Sequence, residues 1–476
     1  MVRTKLVAML LGPSGVGLVG LYVSVTSLVS TISGLGIATS SVRDLAQAQS
    51  SGDANQLAIA TKVLRRACWF TGFLGWAATV ALAYPLSRWT FGSGERATAL
   101  ALLGITILLT ALTSSEKSLL QGTRRIGHLA CANVISAMAS TLIAAGLYYW
   151  LGESGIIPVL ITTAAASLGI LWWFTRQIAL LPIRMTLQDT WRRSKSLLRL
   201  GLAFMWAGLL SAAVSLVIPA LIVRNLGLEA SGIYQAAWGI SGVFAGFILT
   251  AMGTDFYPRL AAVANDDKHV NRLVNEQTEI GVLLALPGLL ATLSFSPFLI
   301  SIFYSTRFAA GAELLPWFVL GVFGQVISWP MGYSLIAKGA SRWYLLTESS
   351  ANLFRLAGSI LLLKWLGLWG VSLAFAILYA EHTLLMFWVC QHQTGFCWSA
   401  PVLKLLLLSG GLILLVFLLQ EWPGGNTGTF LGSTATVGAC VFCARGLCAR
   451  LGADHRVSKA LRRLPLVGHI LVPGVR

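Results

Sequence analysis

Apolar residues fill this chain in blocks of about 20, parted by short polar or glycine-bearing breaks. As helices, such blocks are long enough to cross a ~30 Å hydrocarbon core. Their apolarity is continuous rather than alternating, which excludes a β-barrel. The pattern predicts spans near 1–11 (partial), 16–38, 68–88, 97–116, 128–150, 156–175, 200–223, 232–253, 280–303, 314–336, 345–365, 370–390, 403–420 and 428–446. Helices follow because lipid offers backbone groups no water to bond.

The breaks repeat. Leu11-Gly12-Pro13-Ser14-Gly15-Val16-Gly17 returns as Leu226-Gly227-Leu228-Glu229-Ala230-Ser231-Gly232, and Leu151-Gly152 returns as Leu366-Gly367, both at an offset of 215. A third pair, Gln121-Gly122-Thr123-Arg124-Arg125 and Lys338-Gly339-Ala340-Ser341-Arg342, registers at 217. A hydrophobic chain built from two copies of one unit is the signature of a two-lobed transporter. The span near Leu200 has its counterpart before residue 1, so the first helix of the first copy reads as truncated. Either the start is placed late or the chain begins mid-helix.

Composition sharpens the class. The 476 residues are 56% hydrophobic and 11% charged, against roughly 25% charged in soluble domains. The net charge of +17 would suggest nucleic acid in a soluble protein, but the cations sit in alternate loops. One set, from Arg43 through Arg124 and Arg184 to Arg476, holds 26 Lys and Arg, and the opposite set holds five. The rich side is cytoplasmic, and nucleic-acid binding is not expected. The basic segments 47–66 and 184–199 read as amphipathic helices at the lipid surface, and Asp454 to Arg463 as another. The CxxC of Cys440 and Cys443 lies in an apolar span without a second ligand pair, so the seven cysteines read as buried thiols.

Ionisable residues inside spans carry the functional expectation. Glu348, Asn352, Arg355 and Ser359 step by 4, 3 and 4 and share one helix face. Glu381 and His382 sit in the next span. Two readings stay open: an ion pair of Arg355 with Glu348 or Glu381, or the lining of an aqueous cavity. Arg3 and Lys5 fall in the truncated first helix. Asp255 and Arg259 flank Pro258 at a span end. Tyr234, Gln235 and Trp238 form one polar–aromatic face, and Gln325, Trp329 and Tyr333 another. No Walker loop, HExxH or nucleophile elbow is present, so neither an enzyme activity nor a cofactor is expected.

Val2-Arg3-Thr4-Lys5-Leu6-Val7-Ala8, the Gly12-Pro13 break, Gly34-Leu35-Gly36-Ile37 and Gly232-Ile233-Tyr234-Gln235-Ala236-Ala237-Trp238 resemble the bacterial polysaccharide flippases. These are the O-antigen and enterobacterial-common-antigen translocases of the multidrug/oligosaccharidyl-lipid/polysaccharide exporter superfamily. The resemblance implies an all-α, polytopic membrane protein of the bacterial inner membrane. It implies two pseudo-symmetric six-helix lobes at 1–176 and 198–391, a basic connector at 177–197, two further helices at 392–446 and a basic tail at 447–476. It implies alternating-access carriage of an undecaprenyl-pyrophosphate-linked oligosaccharide from the cytoplasmic to the periplasmic leaflet. Arg3, Lys5, Arg355, Asn352, Tyr234, Gln235 and Gln325 would then line the substrate path. Asp255, Arg259, Glu348, Glu381 and His382 would gate it or couple it to H+ or Na+. Expected partners are the lipid-linked substrate, membrane lipids, and the polysaccharide polymerase and chain-length machinery. A drug/cation antiporter or a lipid II flippase of the same superfamily is the alternative, and a membrane-bound polymerase or ligase stands behind both.

Overall fold

A computed structural model describes residues 2–251, 256–420 and 426–451. Among the described residues every regular element is helical. The first copy comprises α1 (Val2–Gly34), α2 (Ile37–Ser50), α3 (Ala54–Ala81), α4 (Ala83–Phe91), α5 (Ala97–Gly122), α6 (Ile126–Leu151) and α7 (Ile156–Thr175). The second comprises α8 (Leu187–Ala251), α9 (Tyr257–Ala262), α10 (Asp267–Ser294), α11 (Ser296–Phe303), α12 (Leu315–Ala337), α13 (Ser341–Leu366) and α14 (Leu368–Thr394). Two more, α15 (Ala400–Gln420) and α16 (Asn426–Leu451), follow. Nine helical stretches among the described residues are long and apolar enough to cross a membrane, or ten if α3 and α4, bent by 65°, form one span. Fewer are counted than the fourteen expected because Val2–Gly34, Ile126–Thr175 and Gly208–Val243 each take in two of the expected spans. In addition, α13, which carries Glu348, Asn352 and Arg355, is not among them.

The repeat is written in backbone angles. Gly12 (φ 66°, ψ −171°) interrupts α1, and Gly227 (φ 89°, ψ 174°) interrupts α8. Gly152 ends α6 at φ 56°, and Gly367 ends α13 at φ 62°. At each of these positions φ lies in the region that glycine alone enters freely. The third landmark needs correcting. The left-handed residues of the two turns are Arg124 (φ 56°) and Gly339 (φ 70°), so this pair also registers at 215. The same bonds close both turns: Arg125 N donates to Leu120 O and Ala340 N to Leu335 O. Matching glycine to glycine gave 217, because the first copy tolerates an arginine where the second has glycine. Elsewhere the frame slips: Asp53 and Asp266, the side-chain N-caps of α3 and α10, lie 213 apart.

Helix contacts gather the described chain into two compact units. The first is Met1–Gln235 with Phe303–Arg307, and the second is Ala236–Ile302 with Phe308–Arg476. Within the first unit, corresponding residues of the two copies touch backbone to backbone. A Cβ on Gly17 would lie 2.4 Å from Leu228 O, and one on Gly232 would lie 1.9 Å from Pro13 O. Gly17 and Gly232 are equivalent at offset 215, as are Pro13 and Leu228, so the contact is reciprocal. Gly232→Ala is therefore expected to cost at least ~2 kcal/mol, as overpacking against a backbone cannot relax. A thermal unfolding midpoint in detergent equal to that of the parent would refute this.

Two expected surface helices are absent. Residues 54–66 are the opening turns of α3, and 187–199 those of α8. No helix breaker separates either basic stretch from the apolar run that follows. Their cations instead clamp the intervening chain: Arg66 Nη1 donates to Met185 O and Thr190 Oγ1 at 2.9 Å, and Lys62 Nζ donates to Ile183 O. The exposed first turn of α10 is tied more locally. Asp266 caps it and also receives His269 Nδ1, and this contact holds the Asp266 carboxyl below its usual range. Of the seven free thiols, Cys68, Cys390, Cys443 and Cys448 are buried, but Cys131, Cys397 and Cys440 are exposed. Cys131 and Cys440 sit on apolar helices, α6 and α16, whereas Cys397 lies in the segment between α14 and α15. The segment Asp454 to Arg463 lies outside the described residues.

Candidate functional site

The polar face of α13 brings together the second unit's expected site residues on that helix. Periodicity puts Glu348, Asn352, Arg355 and Ser359 on its inner side, while Leu346, Leu353 and Leu361 of the opposite side are exposed. Among the described residues Arg355 makes no ion pair, and neither of the acidic partners considered for it is one. Its guanidinium instead lies over the Trp238 ring at 4.5 Å and the Phe375 ring at 5.4 Å. Trp238 meets Phe318 and Phe375 edge-on at 5.5 and 5.0 Å, and these two rings meet at 5.6 Å. Two helices, α8 and α14, thus present rings to one cation, and Phe318 of α12 packs against both rings. Such a contact offsets part of a guanidinium's desolvation by ~0.5–2 kcal/mol and leaves its N–H edges free.

Two turns away, Glu348 faces a separate cavity of about 250 Å³ lined also by Trp329, Tyr333, Tyr344 and His382. His382 is 4% exposed, and its Nδ1 has no protein partner among the described residues; Glu381 Oε2 likewise has none. Tyr379 stands edge-on to His382 at 6.0 Å and to Phe375 at 4.9 Å. The cation and the carboxyl of α13 therefore share a helix face yet address different surroundings. Asn352 bonds its own helix, donating to Glu348 O at 2.8 Å. Gln325 is half-buried on α12, but only Trp329 and Tyr333 of its face reach the cavity.

The other expected residues are dispersed. Gln235, in the first unit, donates to Gly17 O at 3.2 Å and fills the space beside Gly20. That makes it a helix-packing group. Tyr234 is buried at 3% exposure. Arg3 and Lys5 are half-buried on α1, and Arg3 is an electrostatic neighbour of Tyr148. Arg259 is exposed on α9, and Asp255 lies outside the described residues. No cluster able to hold a metal occurs among the described residues.

Sequence reasoning missed two groupings. The rings around Arg355 come from Trp238, which the sequence placed only on the Tyr234 face, and from Phe375 on the next helix, which nothing sets apart from other apolar residues. The second is a bidentate pair in the first unit, Arg65 Nε and Nη2 to Glu116 Oε1 and Oε2 at 2.8 and 2.7 Å. Its signal was present: Glu116 closes a span, and a carboxyl 5% exposed requires a partner.

Comparisons with known proteins agree with this architecture. The fold is that of an inward-facing multidrug resistance MATE family transporter of the MOP superfamily (TM-score 0.68, 15% identity, covering 85% of this chain and 94% of that one). It is also that of the lipid II flippase MurJ in an inward closed conformation (TM-score 0.62, 16% identity, 92% and 97%). A MOP superfamily transporter from Pyrococcus furiosus shares it too (TM-score 0.61, 17% identity, 83% and 91%). In sequence the chain is 22% identical over 368 residues to the lipid III flippase of Escherichia coli (strain K12), covering 73% of this chain and 83% of the relative. These relatives are carriers rather than enzymes. Residues 6–313, well over half of the chain, match the family described as polysaccharide biosynthesis protein, and the chain belongs to that family.

Proposed function

We propose that the protein is a flippase that carries an undecaprenyl-pyrophosphate-linked oligosaccharide, of the O-antigen repeat-unit kind, from the cytoplasmic to the periplasmic leaflet of the bacterial inner membrane. The observation that carries this reading is Arg355: a guanidinium held among aromatic rings with no acidic partner among the described residues. A pyrophosphate with its sugars cannot enter hydrocarbon unaided, because an unpaired buried charge is very costly. A cation without a resident counter-ion lowers that barrier, since guanidinium N–H groups match phosphate oxygens. The lobes at 1–176 and 198–391 would rock about the connector at 177–197, in the manner of repeat-built carriers. Glu348, Glu381 and His382 are the groups through which H+ or Na+ would couple, and Arg3 and Lys5 are further cations for the head group.

The test is leaflet-specific detection of the lipid-linked oligosaccharide in cells lacking the protein. The expected result is accumulation on the cytoplasmic side. Normal delivery to the periplasm, with only polymerised or ligated product missing, would overturn the flippase in favour of a membrane enzyme. A second reading, an exporter of organic cations, is favoured by Glu348 among Trp329, Tyr333 and Tyr344. It requires drug sensitivity in the same cells.

A further inference from the structure

The first unit contains a cavity of about 290 Å³ that the residues of the α13 face do not reach. It opens where α1 gives way to α2. The chain turns there through two left-handed residues, Leu35 (φ 49°) and Gly36 (φ 65°), and α2 begins with no side chain capping its first N–H groups. Seven hydroxyl side chains from four helix segments line the cavity, and no charged residue does. Some of them bond their own helix: Thr31 donates to Ser27 O at 2.8 Å and Thr110 to Thr106 O at 2.7 Å. The hydroxyls of Ser30, Ser33, Thr39 and Ser114 make no protein hydrogen bond among the described residues. Of these, Ser33 is only 7% exposed.

We infer that this cavity is a subsite for one uncharged sugar residue of the transported glycan. The inference rests on the flippase reading. Unpartnered hydroxyls both donate and accept, and each rotates to suit its ligand. A sugar ring presents the same kind of group, and the uncapped start of α2 adds backbone donors. Volume limits the occupant. The cavity is at the bottom of the ~300–1,000 Å³ range of small-molecule clefts, so it suits a single ring rather than a chain of them. Charge limits it further. A helix start supplies about half an elementary charge, and no Lys or Arg lines the space to complete the neutralisation of a phosphate or uronate. The site thus selects neutral over acidic sugars.

The test uses the full chain in lipid nanodiscs and saturation-transfer NMR with four probes: methyl glucoside, methyl N-acetylglucosaminide, methyl glucuronide and inorganic pyrophosphate. The two neutral glycosides are expected to bind, and the Ser33→Ala/Ser114→Ala double variant to bind them at least tenfold more weakly. Thr26→Val, whose hydroxyl bonds Tyr22 O outside the cavity, serves as the unchanged reference. Thr39→Val replaces the double variant if that does not fold. Neutral-glycoside binding that is undiminished in these variants would overturn the subsite, as would pyrophosphate or glucuronide binding that they abolish. The titration reads the purified protein, so its failure is separable from failure of the flippase reading, which shows in the leaflet assay.

Discussion

Replacing Arg355 by alanine is expected to lower translocation of the lipid-linked oligosaccharide about a hundredfold while leaving the amount of folded protein unchanged. Truncating one partner of a desolvated charge pair costs ~2–5 kcal/mol, and about 3 kcal/mol corresponds to roughly a hundredfold. The protein itself loses little, because Arg355 bonds no resident carboxylate and its removal orphans none. Trp238 and Phe375 keep their edge-on contact at 5.0 Å without it. Arg355→Lys should fall between: the charge remains, but the planar stack and the forked N–H edge are lost. Counting lipid-linked units in each leaflet, normalised to protein level, decides the matter. Wild-type delivery by Arg355→Ala would remove this residue from the path, and equal loss of folded protein would make its role structural.

Glu116→Ala should show the opposite profile, with a stability loss that precedes any effect on transport. The carboxyl side chain is 7% exposed and receives both N–H groups of Arg65, whose own side chain is 35% exposed. Breaking a buried pair costs ~3–5 kcal/mol. Arg65 can turn towards water once released, which sets the expectation for Glu116→Ala near 3 kcal/mol. Arg65→Ala should cost more, as it strands the buried carboxyl. The double variant should be less destabilised than the sum of the two, because contacting residues are not additive. Thermal unfolding of the four proteins in one detergent measures all three quantities. Additive losses would mean that the pair contributes no coupling.

How much of this was legible in the sequence depended on whether the signal was local. The glycine breaks at 12, 152, 227 and 367 could be read because φ near +60° leaves glycine as the free choice. The face formed by Glu348, Asn352, Arg355 and Ser359 could be read because helical periodicity is local. Arg124 could not: an arginine in a left-handed turn carries no sequence signature, and its equivalence with Gly339 emerged only from dihedral angles and matching hydrogen bonds. Nor could the surroundings of Arg355. In a chain that is 56% hydrophobic, nothing distinguishes the Phe375 that meets a cation from a phenylalanine that meets lipid. Gln235 looked like a lining residue because an amide in a span is unusual, yet its amide is used by Gly17 of another helix. The hydroxyl cavity was invisible for the converse reason, as serine and threonine satisfy themselves on their own helix so often that their positions attract no notice.

The slip in the repeat has an engineering consequence. The second copy is two residues shorter by the cap at Asp266, yet it is back in step at Gly339, and the stretches Gly12 to Gly152 and Gly227 to Gly367 are equally long. Adding one residue to a helix rotates everything after it by ~100°, so an uncompensated change would turn lining side chains outward. Insertions and deletions in this protein should therefore be tolerated in balanced pairs, and chimaeras should exchange whole segments between those glycines rather than between matching letters.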